Sequence, residues 1–196
     1  MNVRCFTAVL LPADIRHAIA LSMPECGSAL HNAGAPAPRW EREENLHCTL
    51  NFFGSVDETL IAPFIAGAHA ALREIQPFSI EIADFGTFPA GHAPRVLWVG
   101  IGDVDGRLQT AQAALTASAK ASCLNPAEEH AFHPHVTIGR WKNEHSSRHA
   151  LPDGVLARKS FGSVRIQSIT LMKSTTTAGG SVYSPLHAWD LQIATV

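Results

Sequence analysis

Nowhere in its 196 residues does the chain hold the roughly 20 consecutive apolar residues that a membrane-spanning helix requires, so nothing in it reads as a bilayer anchor. Neither sign of charge dominates: 15 Lys and Arg stand against 17 Asp and Glu, a formal net charge of −2. That excludes the broad basic field with which proteins grip long nucleic acid and leaves any phosphate ligand to a few local groups. A small or terminal substrate is expected. The four cysteines, at positions 5, 26, 48 and 123, form no C-x-x-C pair and no regular spacing, and the apolar start "MNVRCFTAVLLPADIR" is cut by Pro12 and Asp14. Free thiols and a cytoplasmic location follow as expectations. Low-complexity segments are absent, and an apolar share of 46% provides for a sizeable globular core.

Regular βαβ alternation is missing as well. Val3 to Leu11 reads as a strand, after which Pro12 suits the first turn of a helix through Ile15, Ala18 and Ile19 that Pro24 should end or kink. "GAPAP" is a turn-rich connector before strands at "RWE" and at Leu46 to Phe53. Asp57 is placed to cap a helix with its apolar face on Leu60, Ile61, Phe64, Ile65, Ala68 and Leu72, though Pro63 falls inside it. Phe78 to Phe85 and Arg95 to Ile101 read as a long antiparallel hairpin, and a helix from about Val104 to Ala121 buries Leu108, Ala111, Leu115 and Ala119. Strands at Pro134 to Trp141, Val164 to Lys173 and Tyr183 to Leu191 complete the chain. Such a mixture argues for an α+β fold with antiparallel sheets.

Two of these strands carry the wrong residues for a core. "LHCTLNFFG" begins at Leu46 and "HPHVTIGRW" ends at Trp141, and each spells His-x-Thr followed by an apolar residue, at 47–50 and at 135–138. In a strand, residues i and i+2 share a face, so His47 and Thr49 stand side by side, with Asn51 and Phe53 beyond them by the same parity. Leu46, Cys48, Leu50 and Phe52 then form the core face. In the second copy His133, His135 and Thr137 oppose Pro134, Val136 and Ile138. Burying two imidazoles without polar partners is unfavourable, which is why the pair is better explained facing a wet cleft.

A histidine pair near neutrality can hold one neutral base and one protonated acid, and threonine hydroxyls can donate to an anionic oxygen. That inventory suits metal-free attack on phosphorus: a base takes a proton from water, an acid protonates the leaving oxygen, and hydroxyls hold the non-bridging oxygens.

"RWEREENLHCTLNFFGSVDE", "FGTFPAGHAPRVLWVG", "FHPHVTIGRW" and "LMKSTTTAGGSVYSPL" together resemble the two-histidine (2H) phosphoesterases, and within them the bacterial RNA 2′,3′-cyclic phosphodiesterases, also called 2′-5′ RNA ligases. The resemblance covers essentially the whole chain and implies one domain over residues 1–196. Its two pseudo-symmetric lobes, related by internal duplication, are each an antiparallel sheet backed by helices around a central cleft. Both termini would lie in one lobe. It implies His47 as proton donor, His135 as proton acceptor, and Thr49 and Thr137 as clamps on the phosphate oxygens. Arg140 would add positive charge near the phosphate. Strand parity points Arg140 away from His135, whereas a bulge at Gly139 would re-aim it, and on sequence both readings stand. Cys48 replaces a leucine common in the first motif and reads as a small hydrophobe, not a nucleophile. Lys173 stands where relatives often have an acidic residue.

The activity implied is hydrolysis of RNA 2′,3′-cyclic phosphate ends to 2′-phosphomonoesters, with reversible 2′-5′ ligation as its possible reverse. No cofactor or metal is implied. RNA termini or small cyclic-phosphate nucleotides are the expected partners, a monomer the expected state, and no membrane is involved. Three other readings compete. A metallohydrolase is suggested by His130, His133 and His135, but no carboxylate or cysteine nearby completes a zinc pattern. A binding module for RNA ends or nucleotides, without turnover, would use Trp40, Phe53 and Trp141 to stack bases. A related cyclic-nucleotide phosphodiesterase is the third.

Overall fold

Asn2–Leu10 opens the chain as strand β1 in the computed structural model, which describes residues 1–90, 93–127, 131–141 and 154–192. Its middle residues are buried on both faces: Cys5 and Val9 belong to the main core, Phe6 and Ala8 to a smaller cluster with Met172. Helix α1 follows over Ala13–Asn32 and continues past Pro24, where the sequence suggests an end or a kink. Pro24 lies on the exposed side, while Ile19, Met23, Cys26 and Leu30 hold the other side in the core.

Strands β2 (Arg39–Trp40) and β3 (His47–Asp57) come next, and the Asp57 side chain accepts from Thr59 N to cap a short turn that feeds helix α2 (Ile61–Leu72). Pro63 falls in the first turn of α2, where its missing N–H forfeits no intrahelical bond. Strands β4 (Phe78–Phe88) and β5 (Val96–Gly102) form the long hairpin. Helix α3 (Arg107–Ala121) follows, with Leu108, Ala111, Leu115 and Ala119 fully buried as their spacing requires. The last strands are β6 (His135–Arg140), β7 (Ser160–Ile166), β8 (Ser168–Thr177) and β9 (Gly180–Asp190).

These strands hydrogen-bond in the order β7-β4-β5-β6-β3-β1-β8-β9, with β2 added against β6. Every pairing is antiparallel. Two lobes are evident: β3, β1, β8 and β9 carry both ends of the chain, and β4, β5, β6 and β7 carry its middle. The segment Val164 to Lys173, which reads as one strand, is two strands broken at Gln167. One half pairs with β4 and the other with β1 and β9. Because β7 and β8 lie towards opposite edges of the sheet yet are joined by one residue, the sheet must curl until its edges meet there. The Gln167 carbonyl accepts from Leu191 N at 2.8 Å at that junction. Among the described residues no helix is long and apolar enough to cross a membrane.

Candidate active site

The two lobes join where the two His-x-Thr strands touch. A single registered pair, Cys48 with Val136, links β3 to β6, and both side chains are fully buried. In an antiparallel pair that register sets His47 level with Thr137 and Thr49 level with His135, all four on the face away from the core. Each imidazole therefore has its own threonine along the strand and the other motif's threonine across from it.

His47 is held on every side. Its Nδ1 lies 2.6 Å from the backbone carbonyl of Asn45 and its Nε2 3.0 Å from Thr49 Oγ1. The ring stacks on Phe6 with centroids 4.8 Å apart and meets Tyr183 edge-on at 5.2 Å. Asn45 is itself fixed, since its side-chain amide donates to the Ser181 carbonyl on β9 at 3.0 Å. His135 repeats the pattern: its Nδ1 lies 2.7 Å from the His133 carbonyl, with Phe88 edge-on at 5.0 Å and Trp98 at 6.3 Å. Because a carbonyl can only accept, Nδ1 carries the proton in both rings, and in the neutral tautomer Nε2 is the unprotonated nitrogen, which in His47 accepts from the Thr49 hydroxyl.

Burial is the main force holding both imidazoles below their ordinary 6.5; the carbonyl bonds oppose it, and the Arg140 charge adds to the lowering in both. His47 is further lowered by His135, and His135 by His133. The unliganded site therefore favours two neutral rings, and an arriving anion would favour protonation of one.

Arg140 comes to the same side as His135. Leu97 pairs with Gly139 but Trp98 pairs with Thr137, so Ile138 is an extra residue in β6 and the alternation slips by one before Arg140. Ile138 and Gly139 are both buried as a consequence. A Cβ at Gly139 would press on the Pro38 ring at 2.8 Å, which gives that position a packing reason to be glycine. Arg140 lies 3.4 Å by Nε from Glu41 and borders a cavity of about 1010 Å³ whose wall also includes Thr49 and His135.

Strand β3 is bulged too, at Leu50 and again at Phe53, which overturns the simple parity reading. Phe53, expected on the polar face, is buried edge-on against Phe64 at 5.2 Å, and Phe52, expected in the core, turns to the cavity. Of the three aromatics considered for base stacking, Trp141 alone borders the cavity, with its Nε1 committed to the Pro36 carbonyl at 2.7 Å. Phe6 and Tyr183, which hold His47, arrive from β1 and β9, and no pattern within the His-x-Thr strand points to them.

Cys48 sits in the seam with its thiol pushed up to about 12 by burial. Lys173 is exposed on β8. Among the described residues no three His, Cys, Asp or Glu side chains gather as metal ligands, and His130 lies outside the described residues.

Residues 24–178 match the family model of the 2′-5′ RNA ligase superfamily. The RNA 2′,3′-cyclic phosphodiesterase of Aeropyrum pernix is 33% identical over 164 residues, covering 81% of this chain and 89% of that protein. Its namesake from Methanothermobacter thermautotrophicus is 30% identical, covering 97% and 100%. The crystal structure of Escherichia coli LigT complexed with 3′-AMP has a TM-score of 0.79 at 26% identity, covering 98% of this chain and all of that one.

Proposed function

The chain belongs to the 2′-5′ RNA ligase superfamily and is an enzyme of phosphodiester hydrolysis, and we propose that it opens RNA 2′,3′-cyclic phosphate ends to 2′-phosphomonoesters with His47 as acid and His135 as base. The observation that carries this reading is the matched pair of imidazoles. Each has Nδ1 fixed on the carbonyl two residues earlier, and the Cys48–Val136 register sets them beside two threonines on one face.

With Nδ1 committed, proton traffic runs through Nε2. His135 Nε2 takes a proton from water as its oxygen attacks phosphorus, and the bond from phosphorus to the 3′ oxygen breaks as His47 Nε2–H protonates that oxygen. The product is a 3′-hydroxyl beside a 2′-phosphomonoester. Protonated His47 is unfavourable in the free protein, and the negative charge of the bound phosphodiester offsets the burial that lowers it. Thr49, Thr137 and Arg140 stabilise the non-bridging oxygens as charge shifts onto them.

The same pair, acting in the same direction, can join RNA. An RNA 5′-hydroxyl replaces water at His135, the 3′ oxygen leaves as before, and a 2′-5′ linkage results; His47 and His135 exchange roles when that linkage is cleaved again. Neither reaction requires a metal in this scheme. Both motifs come from one chain, which fits a monomer, and the approximate two-fold relation of the motif strands fits origin by duplication of one lobe. Four free thiols, three of them buried, fit a cytoplasmic location.

Incubating the protein with a short RNA ending in a 2′,3′-cyclic phosphate, with and without exhaustive chelation, tests this. A 2′-phosphate released at the same rate in both is expected. A 3′-phosphate would contradict the assignment of the leaving oxygen, and loss of activity on chelation would contradict metal independence. Binding without turnover would favour the capture module.

A further inference from the structure

Asn51 and Thr7 are polar side chains almost wholly removed from water, at 3% and 0% exposure. Neither belongs to a His-x-Thr motif, yet Asn51 stands two residues beyond Thr49 on the same strand. A buried amide is tolerated where its hydrogen bonds are made, and those of Asn51 lead to two other elements.

Thr7, on β1, meets Asn51 twice. In the β1–β3 register Thr7 faces Asn51 but Ala8 faces Thr49, so Leu50 is the extra residue of a bulge and the ladder is interrupted there. The Thr7 hydroxyl takes over, accepting from Asn51 N at 3.1 Å and donating to Asn51 Oδ1 at 3.2 Å. A side chain thereby stitches the bulge. On its other side the amide donates through Nδ2 to Thr116 Oγ1 on α3 at 2.6 Å. That hydroxyl is saturated, since it also donates to the Gln112 carbonyl at 2.9 Å and accepts from Gln112 Nε2 at 3.1 Å. Because a carbonyl only accepts, the direction of each bond from Gln112 through Thr116 and Asn51 to Thr7 is set.

This network crosses between the lobes. Strand β3 belongs to the lobe that carries the chain ends, whereas α3 lies between β5 and β6 of the other. One residue further along β3, the Phe52 carbonyl accepts from Ala127 N at 2.8 Å, on the segment that leads from α3 towards β6. The seam itself holds a single registered pair, Cys48 with Val136. One pair fixes one point of contact and leaves the pitch of β3 against β6 open; the bonds at Asn51 and Phe52 supply a second point. Thr49 stands between the two, with its Oγ1 3.0 Å from His47 Nε2.

We propose that Asn51 is a positioning residue for the phosphodiester reaction, an inter-lobe latch that, with Thr7 and Thr116, holds the bulge at Leu50 and so sets Thr49 and His47 opposite the second motif. The inference rests on the cyclic phosphodiesterase reading above. Asn51 and Thr116 border the cavity, but the saturated Thr116 hydroxyl has no bond left for a ligand, so the pair acts through the strand. With the latch open the bulge slips, Thr49 Oγ1 leaves His47 Nε2, and the acid and one phosphate clamp lose their alignment.

The test uses Thr116→Val, which removes the hydroxyl at nearly constant volume, Thr116→Ser, which keeps it, and Asn51→Leu. Each is measured for kcat and KM on a short RNA ending in a 2′,3′-cyclic phosphate. Thr116→Val and Asn51→Leu are expected to lower kcat by about tenfold, within the roughly 10²-fold that a misplacement of about 1 Å costs, with KM changed by less than about twofold. Thr116→Ser should retain the wild-type kcat. Double variants separate a latch from a contribution to stability alone. Thr49→Ala should lose severalfold less rate in the Thr116→Val background than in the wild type, because the hydroxyl it removes is already displaced, whereas Thr137→Ala should lose the same rate in both. In the ligand-free protein, nitrogen NMR of Thr116→Val should show His47 Nε2 moved from a hydrogen-bonded towards a free unprotonated nitrogen, with His135 Nε2 unmoved.

A higher KM at unchanged kcat would make Asn51 and Thr116 substrate contacts and overturn the latch. So would losses in Thr49→Ala and Thr116→Val that simply multiply, or a lower melting temperature with kcat intact. If the wild type hydrolyses no cyclic phosphate the phosphodiesterase reading fails, and the His47 signal then decides the latch alone: a shift in Thr116→Val that is absent in Thr116→Ser supports it, and an unmoved signal ends it.

Discussion

His47 and His135 hold their imidazoles in the same way, each with Nδ1 against the backbone carbonyl two residues earlier, Asn45 at 2.6 Å and His133 at 2.7 Å. The shared bond fixes one tautomer in both rings and presents Nε2 of each to the same face. Replacing either histidine with alanine should therefore lower kcat by about 10²–10⁴-fold, the usual contribution of a positioned acid or base. Thr49→Ala and Thr137→Ala should fall at or below the lower end of the roughly 10²–10³-fold cost of one oxyanion donor, because in the proposed mechanism Arg140 shares the phosphate with them. Steady-state kinetics on the four variants separates the roles, and equal small losses for all four would contradict them.

The tautomer and the lowered protonation of both rings are visible by NMR of the imidazole nitrogens. In the free protein both histidines should show Nδ1–H and titrate below 6.5, and a nucleoside 2′-phosphate should raise the titration of at least one. Arg140→Gln removes a charge that lowers both, so both should titrate higher in that variant even as its kcat/KM falls. Titrations unmoved by Arg140→Gln would place its guanidinium away from the site.

The same shifts act on stability. A histidine titrating lower in the folded than in the unfolded chain leaves the unfolded state with more bound protons between the two values, so stability rises with pH across that window. The contribution of His47 and His135 should be complete above about 6.5, their unfolded value, and should be lost as pH falls through their depressed folded values. Thermal melts between pH 5 and 8 should show a shallower acid loss in His47→Gln and His135→Gln than in the wild type. A steeper loss in the variants would reverse the sign.

Gly86 lies where a Cβ would fall on the Trp98 indole, and Trp98 stands beside His135. Gly86→Ala should cost about 1–3 kcal/mol by overpacking and lower kcat by moving the His135 neighbourhood. Chemical denaturation and kinetics on one preparation check both effects.

Burial raises the thiols of Cys5 and Cys26 to about 11 and of Cys48 to about 12, whereas Cys123 is exposed. Alkylation of the native protein should mark Cys123 first and leave activity intact. Early labelling of Cys48 with inactivation would argue for a nucleophilic thiol in the seam.

Much of this was legible in the chain itself. The apolar spacing of α3, the β4–β5 hairpin and the repeated His-x-Thr are local patterns, and the structure places all three where the residues suggested. What escaped depends on other strands. Whether Phe52 or Phe53 faces inward is decided by bulges in β3 against β1, and whether Arg140 faces His135 by the bulge at Ile138 against β5. Parity within one strand contains neither. Pro24 marks a helix end in isolation, but here it lies on the solvent side of a helix whose opposite face is core. The break at Gln167 exists because the sheet curls, a property of the whole sheet. Phe6 and Tyr183 reach His47 only through tertiary packing.

The central claim is that His47 gives a proton to the 3′ oxygen while His135 takes one from water, and a change of leaving atom tests it most directly. An RNA whose cyclic phosphate carries sulfur in place of the bridging 3′ oxygen releases a thiolate, which leaves without protonation. On that substrate His47→Ala should recover most of its lost rate relative to wild type, while His135→Ala should remain as impaired as on the oxygen substrate. Recovery of His135→Ala in its place, or of neither variant, would contradict the assignment.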